Sequence, residues 1–435
     1  MLTDYRAAAA FFRRKPGPGA AWTDSSYRDT LCAPNAVGRK IEEIMKLNTQ
    51  GRGLLWSMCG AGLVALLLVS TGLRGADTLP TQIADDVYWK LIDTSSEPTG
   101  EFPSENFTSN ETGFQKILPD LLNTAKQGGV YLGVGPEQNF TYIAALHPKI
   151  VFIVDIRRQN LLQHLFYKAA FELADNRADF ISLIFARKRP VGLTDQSTID
   201  ELLAAFDRMS PDDEMYAKNL DSIKNLLLNK HKFGMSTNDQ TLLEHVSEVF
   251  KFYGPELNYG SSYPFTGRGG GGGNGANFKS VMTATDPSGV KRGFLASEEN
   301  YRVLRDLERN NLLIPIVGDF GGPKALRAVG QYLKDHGATV SAYYTSNVEQ
   351  YLFNRGSGRG GLVINGGAMK FYENVGTLPL DESSVFIRSG APSAYGGRGG
   401  GNGMNNSQIA PIQATVDAYK AGKISAYNDI FFIQN

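Results

Sequence analysis

Cysteine and net charge are both scarce in this sequence. Its 435 residues include only Cys32 and Cys59, both in the N-terminal part, so disulfides, thiol catalysis and cysteine-bound metal are excluded from the rest of the chain. Lysine plus arginine and aspartate plus glutamate each total 44, so the overall charge does not indicate nucleic-acid binding. His164, His231 and His245 are not spaced as paired helical zinc ligands, so we predict packed or solvated histidines and no metal site.

Long apolar runs are also rare, and the one present lies near the N-terminus. Residues 53–73 carry no charge, and several basic residues precede them. An apolar stretch of this length behind a basic flank predicts a signal peptide or a transmembrane anchor. Residues 1–52 are predicted to be a disordered leader, or an artefact of the assigned start codon if translation begins at Met45 rather than Met1. We therefore expect an exported, periplasmic or extracytoplasmic protein, or one held to a membrane through 53–73.

A strand–turn–helix–strand pattern organises the remainder of the chain. An apolar run from Val130 ends in a turn at Gly133 and Gly135, and a helical pattern follows. A second run, 150–154, is rich in β-branched residues and ends at Asp155, about 20 residues after the glycines. This order predicts the opening βαβ unit of a nucleotide-binding fold, in which the glycines admit a ligand and the acid contacts ribose hydroxyls.

A second unit of the same kind lies further along the chain. The run 312–317 ends in a turn containing Asp319, a helix follows, and the run 339–344 precedes Asn347. Right-handed crossovers then predict the strand order 312–317, 150–154, 130–134, 339–344, 384–387. We also predict a final short strand at 429–433.

The remaining segments are predicted to be helical or irregular. Residues 77–435 are expected to form one α/β domain with a doubly wound, Rossmann-like, mostly parallel sheet. A helical insertion is predicted at about 188–255, whereas 77–113 is polar with few apolar runs. Flexible loops are predicted at three glycine-rich stretches, because these lack the strand–turn–helix context of a phosphate cradle: 266–276, 355–361 and 396–403.

The two units together resemble class I S-adenosylmethionine-dependent methyltransferases, over roughly 125–188 and 295–390. The chain as a whole also resembles uncharacterised bacterial exported proteins. The methyltransferase resemblance implies S-adenosylmethionine as the cofactor, with Tyr131 where the family has an acid and Glu137 where it has a third glycine. It implies that the methionine part contacts the glycine turn, the ribose contacts the end of the second strand, and the adenine contacts the end of the third. The implied cofactor-binding residues are Gly133, Gly135, Glu137, Asp155, Ile156 and Asp319.

Three functional hypotheses remain open at this stage. The first is a methyltransferase-like protein with a small, nucleotide-like ligand, and its candidate catalytic residues are Asn347, Glu349 and Tyr351. The alternative role for Glu349 is a surface charge, and that for Tyr351 is a core aromatic. The second hypothesis is a non-catalytic exported binding or scaffold protein, which export favours because the cofactor is a cytosolic metabolite. The third is an NAD-dependent oxidoreductase, which lacks the final glycine of the dinucleotide motif.

Overall fold

The structure is a computed structural model that describes residues 77–261, 276–354, 366–390 and 407–433. Among these residues, no helix is long and apolar enough to cross a membrane. Several predicted segments lie outside the described residues, namely the leader 1–52, the apolar segment 53–73, nearly all of 266–276, and the loops 355–361 and 396–403.

A six-stranded, mostly parallel sheet forms the centre of the protein. Its strand order is β3-β2-β1-β4-β5-β6, and only β6 runs antiparallel to its neighbour. Val130 of β1 lies opposite Ile150 of β2 and Val340 of β4. The first five strands have the order that the sequence predicts. The strands are β1 (Val130–Gly133), β2 (Ile150–Asp155), β3 (Leu313–Val317), β4 (Val340–Ser346), β5 (Val385–Ser389) and β6 (Ser407–Pro411).

The central strands are buried along their full lengths, as expected for parallel strands covered on both faces. Every residue of β1, β2 and β3 is buried. The described α-helices are α1 (Asp85–Ser95), α2 (Leu118–Thr124), α3 (Gln138–Leu146), α4 (Arg158–Leu173), α5 (Arg177–Phe185), α6 (Ile199–Asp207), α7 (Asp213–Lys224), α8 (Thr237–Tyr253), α9 (Phe278–Met282), α10 (Glu298–Arg309), α11 (Ala325–Asp335), α12 (Val348–Asn354), α13 (Gly366–Val375) and α14 (Ile412–Lys420).

Two groups of helices pack against the sheet. In the first, α4 contacts β2 and β3 and also packs against α8 and α10. In the second, α11 contacts β2, α1 and α13. The helices α6, α7 and α8, with a π-helical segment at Asn225–Lys230, occupy the region predicted to be a helical insertion. This region joins the core through aromatic contacts, among them Phe250 of α8 at 5.2 Å from Phe166 of α4 between ring centroids.

Local sequence signals account for helix α10. The Ser297 hydroxyl caps the helix by accepting a hydrogen bond from the Asn300 backbone N–H at 3.1 Å. The first turn carries Glu298 and Glu299 and the last turn carries Arg309, which complements the helix dipole. The residues Tyr301 and Leu304, three positions apart, give the helix its buried face.

One predicted strand is wrong, and two elements were not predicted. The segment predicted as a final strand at 429–433 lies mostly in a 3₁₀ helix, Tyr427–Phe432. The sixth strand is instead β6, a short edge strand whose residues are mostly only partly buried, so its sequence carries little apolar signal. Helix α1 lies within the polar region 77–113, where its buried face is limited mainly to Tyr88 and Ile92, four residues apart. A face of that size is too small to stand out from a polar background.

Candidate functional site

A cavity lies at the carboxyl edge of the sheet. Its volume is about 340 Å³, within the range of small-molecule sites. It spans the point between β1 and β4 where the strand order reverses, which is where parallel α/β sheets bind ligands. Residues at or just after the ends of four strands line it: Val134, Gly135 and Pro136 near β1; Asp155, Ile156 and Arg157 near β2; Gly318, Asp319 and Phe320 near β3; and Tyr344, Ser346 and Asn347 near β4.

Residues 96–111, which we name the crossing segment, form the opposite wall. The Ser96 hydroxyl accepts a hydrogen bond from the Val317 N–H at the end of β3 at 3.1 Å. The Gly100 N–H donates to the Ile156 carbonyl just after β2 at 2.8 Å. Further along, Gln163 of α4 donates to the Phe107 carbonyl at 2.7 Å. The segment is therefore hydrogen-bonded across the sheet edge, although its sequence has few apolar residues.

Glu97 of the crossing segment occupies the N-terminus of α11. Its carboxylate accepts hydrogen bonds from the backbone N–H groups of Asp319 at 3.1 Å, Lys324 at 2.7 Å and Ala325 at 2.9 Å. A Cβ atom at Gly322 would meet this carboxylate at 2.2 Å. These N–H groups, which would otherwise attract an anionic ligand, are thus satisfied within the chain.

The two glycines of the predicted ligand turn have different roles. A Cβ at Gly133 would meet the Asn139 side chain at 1.9 Å, so this glycine is required for packing against α3. Gly133 is not among the residues that line the cavity. Gly135 does line it, has φ +76°, and has space for a Cβ, whose nearest neighbour would be the Asn106 side chain at 3.7 Å. Only Gly135 therefore offers its backbone to a ligand in the predicted manner.

His164 of α4 supports this turn from behind. It is buried, and its Nε2 lies 2.9 Å from the Gly135 carbonyl oxygen. Burial lowers the pKa of His164 to about 4, so at neutral pH the ring is uncharged and donates its Nε2–H to that carbonyl. Of the two roles expected from the sequence, packed and solvated, this histidine has the packed one.

Glu137 does not face the cavity. It is fully buried, and its Oε1 accepts hydrogen bonds from the Thr108 hydroxyl at 2.5 Å and the Ser109 N–H at 3.1 Å. Burial raises the pKa of Glu137 to about 7. The residue was predicted to contact the cofactor, but the structure instead uses it to attach the crossing segment to the start of α3.

Asp155 lines the cavity, but its carboxylate is already engaged by Arg157. The Arg157 Nε and a terminal guanidinium nitrogen each donate to one carboxylate oxygen at 3.0 Å, and the Arg157 backbone N–H donates at 2.9 Å. A carboxylate has about four acceptor positions, so roughly one is left for a ligand. Contact with two ribose hydroxyls, as the sequence predicts, does not fit this arrangement, whereas contact with one does.

The other guanidinium nitrogen of Arg157 donates to the crossing segment. Its partners are the Ser104 carbonyl at 3.3 Å and the Glu105 carbonyl at 2.5 Å. Ile156, also predicted to bind the cofactor, lines the cavity beside this pair. One arginine thus joins the end of β2 to the opposite wall.

The remaining predicted residues divide into two sets. Asp319, Asn347 and Tyr351 line the cavity. Tyr351 is 41% exposed and packs edge-on against Phe102 with 5.5 Å between ring centroids, so its assignment as a core aromatic is wrong. Asp319 accepts a hydrogen bond from the Gly321 N–H at 2.9 Å, which fits the turn role considered for it.

Glu349 is buried away from the cavity. Its carboxylate binds the Arg388 guanidinium at 2.6 and 3.1 Å and accepts a hydrogen bond from the Tyr372 hydroxyl at 2.7 Å. It is therefore neither the surface charge considered from the sequence nor a lining residue. This ion pair joins α12 to β5.

Glu111, a second buried carboxylate in the cavity wall, is a residue that no sequence pattern indicated. It is 2% exposed, and its Oε1 accepts hydrogen bonds from the Tyr344 hydroxyl at 2.9 Å and the Ser346 hydroxyl at 2.5 Å. Its Oε2 accepts from the Gln138 amide at 2.7 Å and from the Ser389 hydroxyl. These partners come from helix α3 and the ends of β4 and β5, so no contiguous stretch of sequence contains the group.

A family model matches residues 106–243 and 276–419 of the chain. The chain therefore belongs to the family described as a domain of unknown function, DUF7790. The matched ranges contain all six strands and most of the cavity, but not Glu101 to Pro103 or Tyr259. No curated protein matches the chain.

The cavity of this DUF7790 chain has an acidic lining. Among the residues that the structure describes, four carboxylates line it, those of Glu101, Glu111, Asp155 and Asp319, against one basic residue, Arg157. The arginine is paired with Asp155, with both side chains less than 10% exposed. Charge alone therefore favours a neutral or cationic ligand over a phosphate-bearing one.

Proposed function

We propose that this protein has a doubly wound, Rossmann-like fold that binds S-adenosylmethionine at the carboxyl edge of its sheet, as a methyltransferase-like protein. The observation that carries the proposal is the acidic cavity at the point of strand-order reversal, with the open Gly135 turn on one side. Helix α4 of the first group and helix α11 of the second both contact β2, which supports the doubly wound arrangement.

Charge distinguishes this cofactor from NAD. S-adenosylmethionine is a net cation, with a sulfonium and an ammonium group against one carboxylate, which suits the described acidic lining, whereas NAD carries a pyrophosphate that does not. A pyrophosphate also needs free N–H groups at a helix start. Glu97 fills those of α11, and the buried Glu137 stands at the start of α3.

The cavity residues would act mainly by positioning. When bound, S-adenosylmethionine supplies an electrophilic methyl group, so the protein needs chiefly to orient the reactants. The Gly135 turn, the open acceptor position on Asp155, and Asp319 would hold the cofactor. Asn347 and Tyr351, after β4, would face the methyl acceptor.

A non-catalytic binding or scaffold role is the second candidate. This role is favoured because the polar groups of the cavity already bind one another. Arg157 pairs with Asp155. Hydroxyl and amide donors fill all four acceptor positions of Glu111. Such a site is stable without a ligand. The predicted export through residues 53–73 points the same way, because it would separate the protein from cytosolic S-adenosylmethionine.

Calorimetry on the purified chain tests the proposed ligand. We expect heat of binding with S-adenosylhomocysteine and S-adenosylmethionine, and none with NAD, each at millimolar concentration. Binding of NAD with equal affinity, or no binding of any of the three, would contradict the proposal. Slow consumption of S-adenosylmethionine in the presence of candidate acceptors would separate the methyltransferase from the scaffold.

Localisation is tested separately by fractionating cells that express the full-length chain. We propose that residues 53–73 direct export, so the protein should be recovered outside the cytosol or in the membrane. A matched chain beginning at Asp77 should stay in the cytosol. Recovery of both chains as soluble cytosolic protein would refute export.

A further inference from the structure

The cavity extends beyond the part assigned to the cofactor, toward the end of β4, where Glu111, Tyr344 and Ser346 line it. Glu111 accepts hydrogen bonds from Ser346, the last residue of β4, and from Ser389, the last residue of β5. Asp155 ends β2, three strands away from β5 in the sheet. Strands in a sheet are spaced about 4.8 Å apart, so the two ends of the carboxyl edge are separated by on the order of 14 Å. We name these the β2 end, with Asp155 and Arg157, and the β5 end, with Glu111 and Ser389.

From these contacts we infer that the β5 end binds the cationic amine group of a second small molecule, whose N–H groups donate to the Tyr344 and Ser346 hydroxyls and whose charge is balanced by Glu111 behind them. This inference builds on the proposed function, since it assigns a second ligand to the same cavity. Each Glu111 oxygen accepts two hydrogen bonds, and all four donors are neutral. Within the described ranges, no lysine or arginine forms an ion pair with it. A buried carboxylate stabilised only by neutral groups leaves a negative potential that a cationic ligand would complement.

The groups around Glu111 are also suited to an ammonium ion. The hydroxyls of Tyr344 and Ser346 donate to the carboxylate and keep lone pairs that can accept from an N–H. Ser346 has φ +51°, a backbone conformation that a non-glycine residue rarely adopts and that is often found at binding sites. The rings of Tyr344, in β4, and Tyr351, in α12 after it, line the same cavity, and aromatic rings attract cations.

Three probes of similar shape test the inference on the wild-type, full-length chain: benzylamine, benzyl alcohol and benzoate. We expect benzylamine to bind at least about 10-fold more tightly than benzoate, with the alcohol between them, as for a contact between charged groups. Benzylamine should still bind when the chain is saturated with S-adenosylhomocysteine, because the two ligands occupy different ends. Equal binding of the three probes, or displacement of benzylamine by S-adenosylhomocysteine, overturns the inference.

Two variants sharpen the assignment. Glu111→Gln should weaken benzylamine binding about 10-fold or more and change S-adenosylhomocysteine binding by less than about 3-fold. Glu101→Gln removes the same charge from the exposed rim of the cavity and should have a smaller effect on benzylamine. Equal effects of the two substitutions would show that only the overall charge of the cavity matters, which contradicts a specific role for Glu111.

A thermal unfolding midpoint near that of the wild type would show that Glu111→Gln folds. If this variant does not fold, the binding of the three probes to the wild-type chain tests the inference by itself. The outcomes also separate the two proposals. Failure of S-adenosylhomocysteine to bind refutes the proposed cofactor while leaving the amine preference testable. Binding of S-adenosylhomocysteine without any preference for benzylamine refutes the amine site alone.

Discussion

The two ends of the cavity hold their carboxylates in different ways. At the β2 end, Asp155 is neutralised by a buried arginine that binds both of its oxygens. At the β5 end, Glu111 is surrounded by three hydroxyls and one amide. The first arrangement balances the charge with an arginine, whereas in the second the described residues satisfy the hydrogen bonds without supplying a cation. Asp155 therefore keeps about one acceptor position for a ligand hydroxyl, whereas Glu111 keeps none and could favour a ligand only through its charge.

The crossing segment connects the two ends. Arg157 holds it by the Ser104 and Glu105 carbonyls, Glu137 holds it by Thr108 and Ser109, and Glu111 is itself part of it. A change at one end is therefore expected to affect the position of the opposite wall as well as the local charge. Variants at either end must therefore be compared in both stability and binding.

The largest expected effect comes from removing the arginine at the β2 end. Arg157→Met leaves the buried Asp155 carboxylate without its partner and removes two contacts to the crossing segment. We expect the free energy of unfolding to fall by about 3–5 kcal/mol, measured by urea denaturation. Glu111→Gln should lower the free energy of unfolding by less, about 1–3 kcal/mol, because it removes a buried charge and does not leave one without a partner.

A double variant provides the control for that result. Combining Arg157→Met with Asp155→Asn removes the stranded charge and should restore part of the lost stability. A loss below about 1 kcal/mol for Arg157→Met alone would mean that solvent screens the pair, and the contrast between the two ends would then disappear.

The distance in sequence between partners explains why the two ends differ in predictability. At the β2 end, the glycine turn, the strand and Asp155 follow one another closely in sequence, so Asp155 was predicted as a site residue. Its partner Arg157 lies only two residues further along and could have been predicted from the same stretch. At the β5 end, Glu111 lies 233 residues from Tyr344 and 278 from Ser389. Only the folded sheet brings these groups together, and no local pattern indicates such a site.

The strands of the fold likewise differ in how strongly their local sequences indicate them. The strands β1 to β5 are short apolar runs bounded by turn residues, and their order follows from the handedness of the crossovers. The edge strand β6 has little apolar content, and the 429–433 segment has an apolar run too short to distinguish a strand from a helical turn. These elements depend on their packing partners more than on their own sequences.

The second prediction concerns pH and the middle of the crossing segment. The pKa of Glu137 is raised to about 7 in the folded chain, from an ordinary value of 4.5. The folded state therefore keeps a proton that the unfolded state releases, and stability falls as pH rises from about 4.5 to about 7. We expect this one group to reduce the free energy of unfolding by about 3 kcal/mol over that window.

Glu137→Gln removes this titration and gives the matched comparison. The difference in unfolding free energy between variant and wild type should shift in favour of the variant between pH 4.5 and pH 8, as followed by urea denaturation at each pH. Using the difference cancels other groups such as Glu308, whose pKa burial raises to about 8. A difference that does not change with pH would show that Glu137 titrates normally.

The third prediction tests how much binding capacity the β2 end retains. If one acceptor position of Asp155 contacts a ribose hydroxyl, Asp155→Asn should weaken S-adenosylhomocysteine binding by about 1.5–3 kcal/mol, measured by calorimetry. Asp319→Asn should weaken it by about 1–2 kcal/mol, because it would lose one contact to the adenine amine. Asp93→Asn, at an exposed position on α1, serves as the control. Unchanged affinity in Asp155→Asn would mean that Arg157 fully occupies the carboxylate and that the ligand binds elsewhere.

The smallest expected effect is at His164, which supports the Gly135 turn without reaching the cavity. His164→Leu removes the hydrogen bond to the Gly135 carbonyl, so a turn with positive φ is held less firmly. We expect S-adenosylhomocysteine binding to weaken by about 1 kcal/mol, the usual value of one neutral hydrogen bond. His164→Gln retains a donor and should recover part of that loss. Because burial lowers the pKa of His164 to about 4, the ring stays neutral above pH 5, and the effect should be the same at pH 5.5 and pH 8. A loss that grows as pH falls toward 5.5 would instead indicate a charged histidine, and the supporting role assigned to it at the Gly135 turn would be wrong.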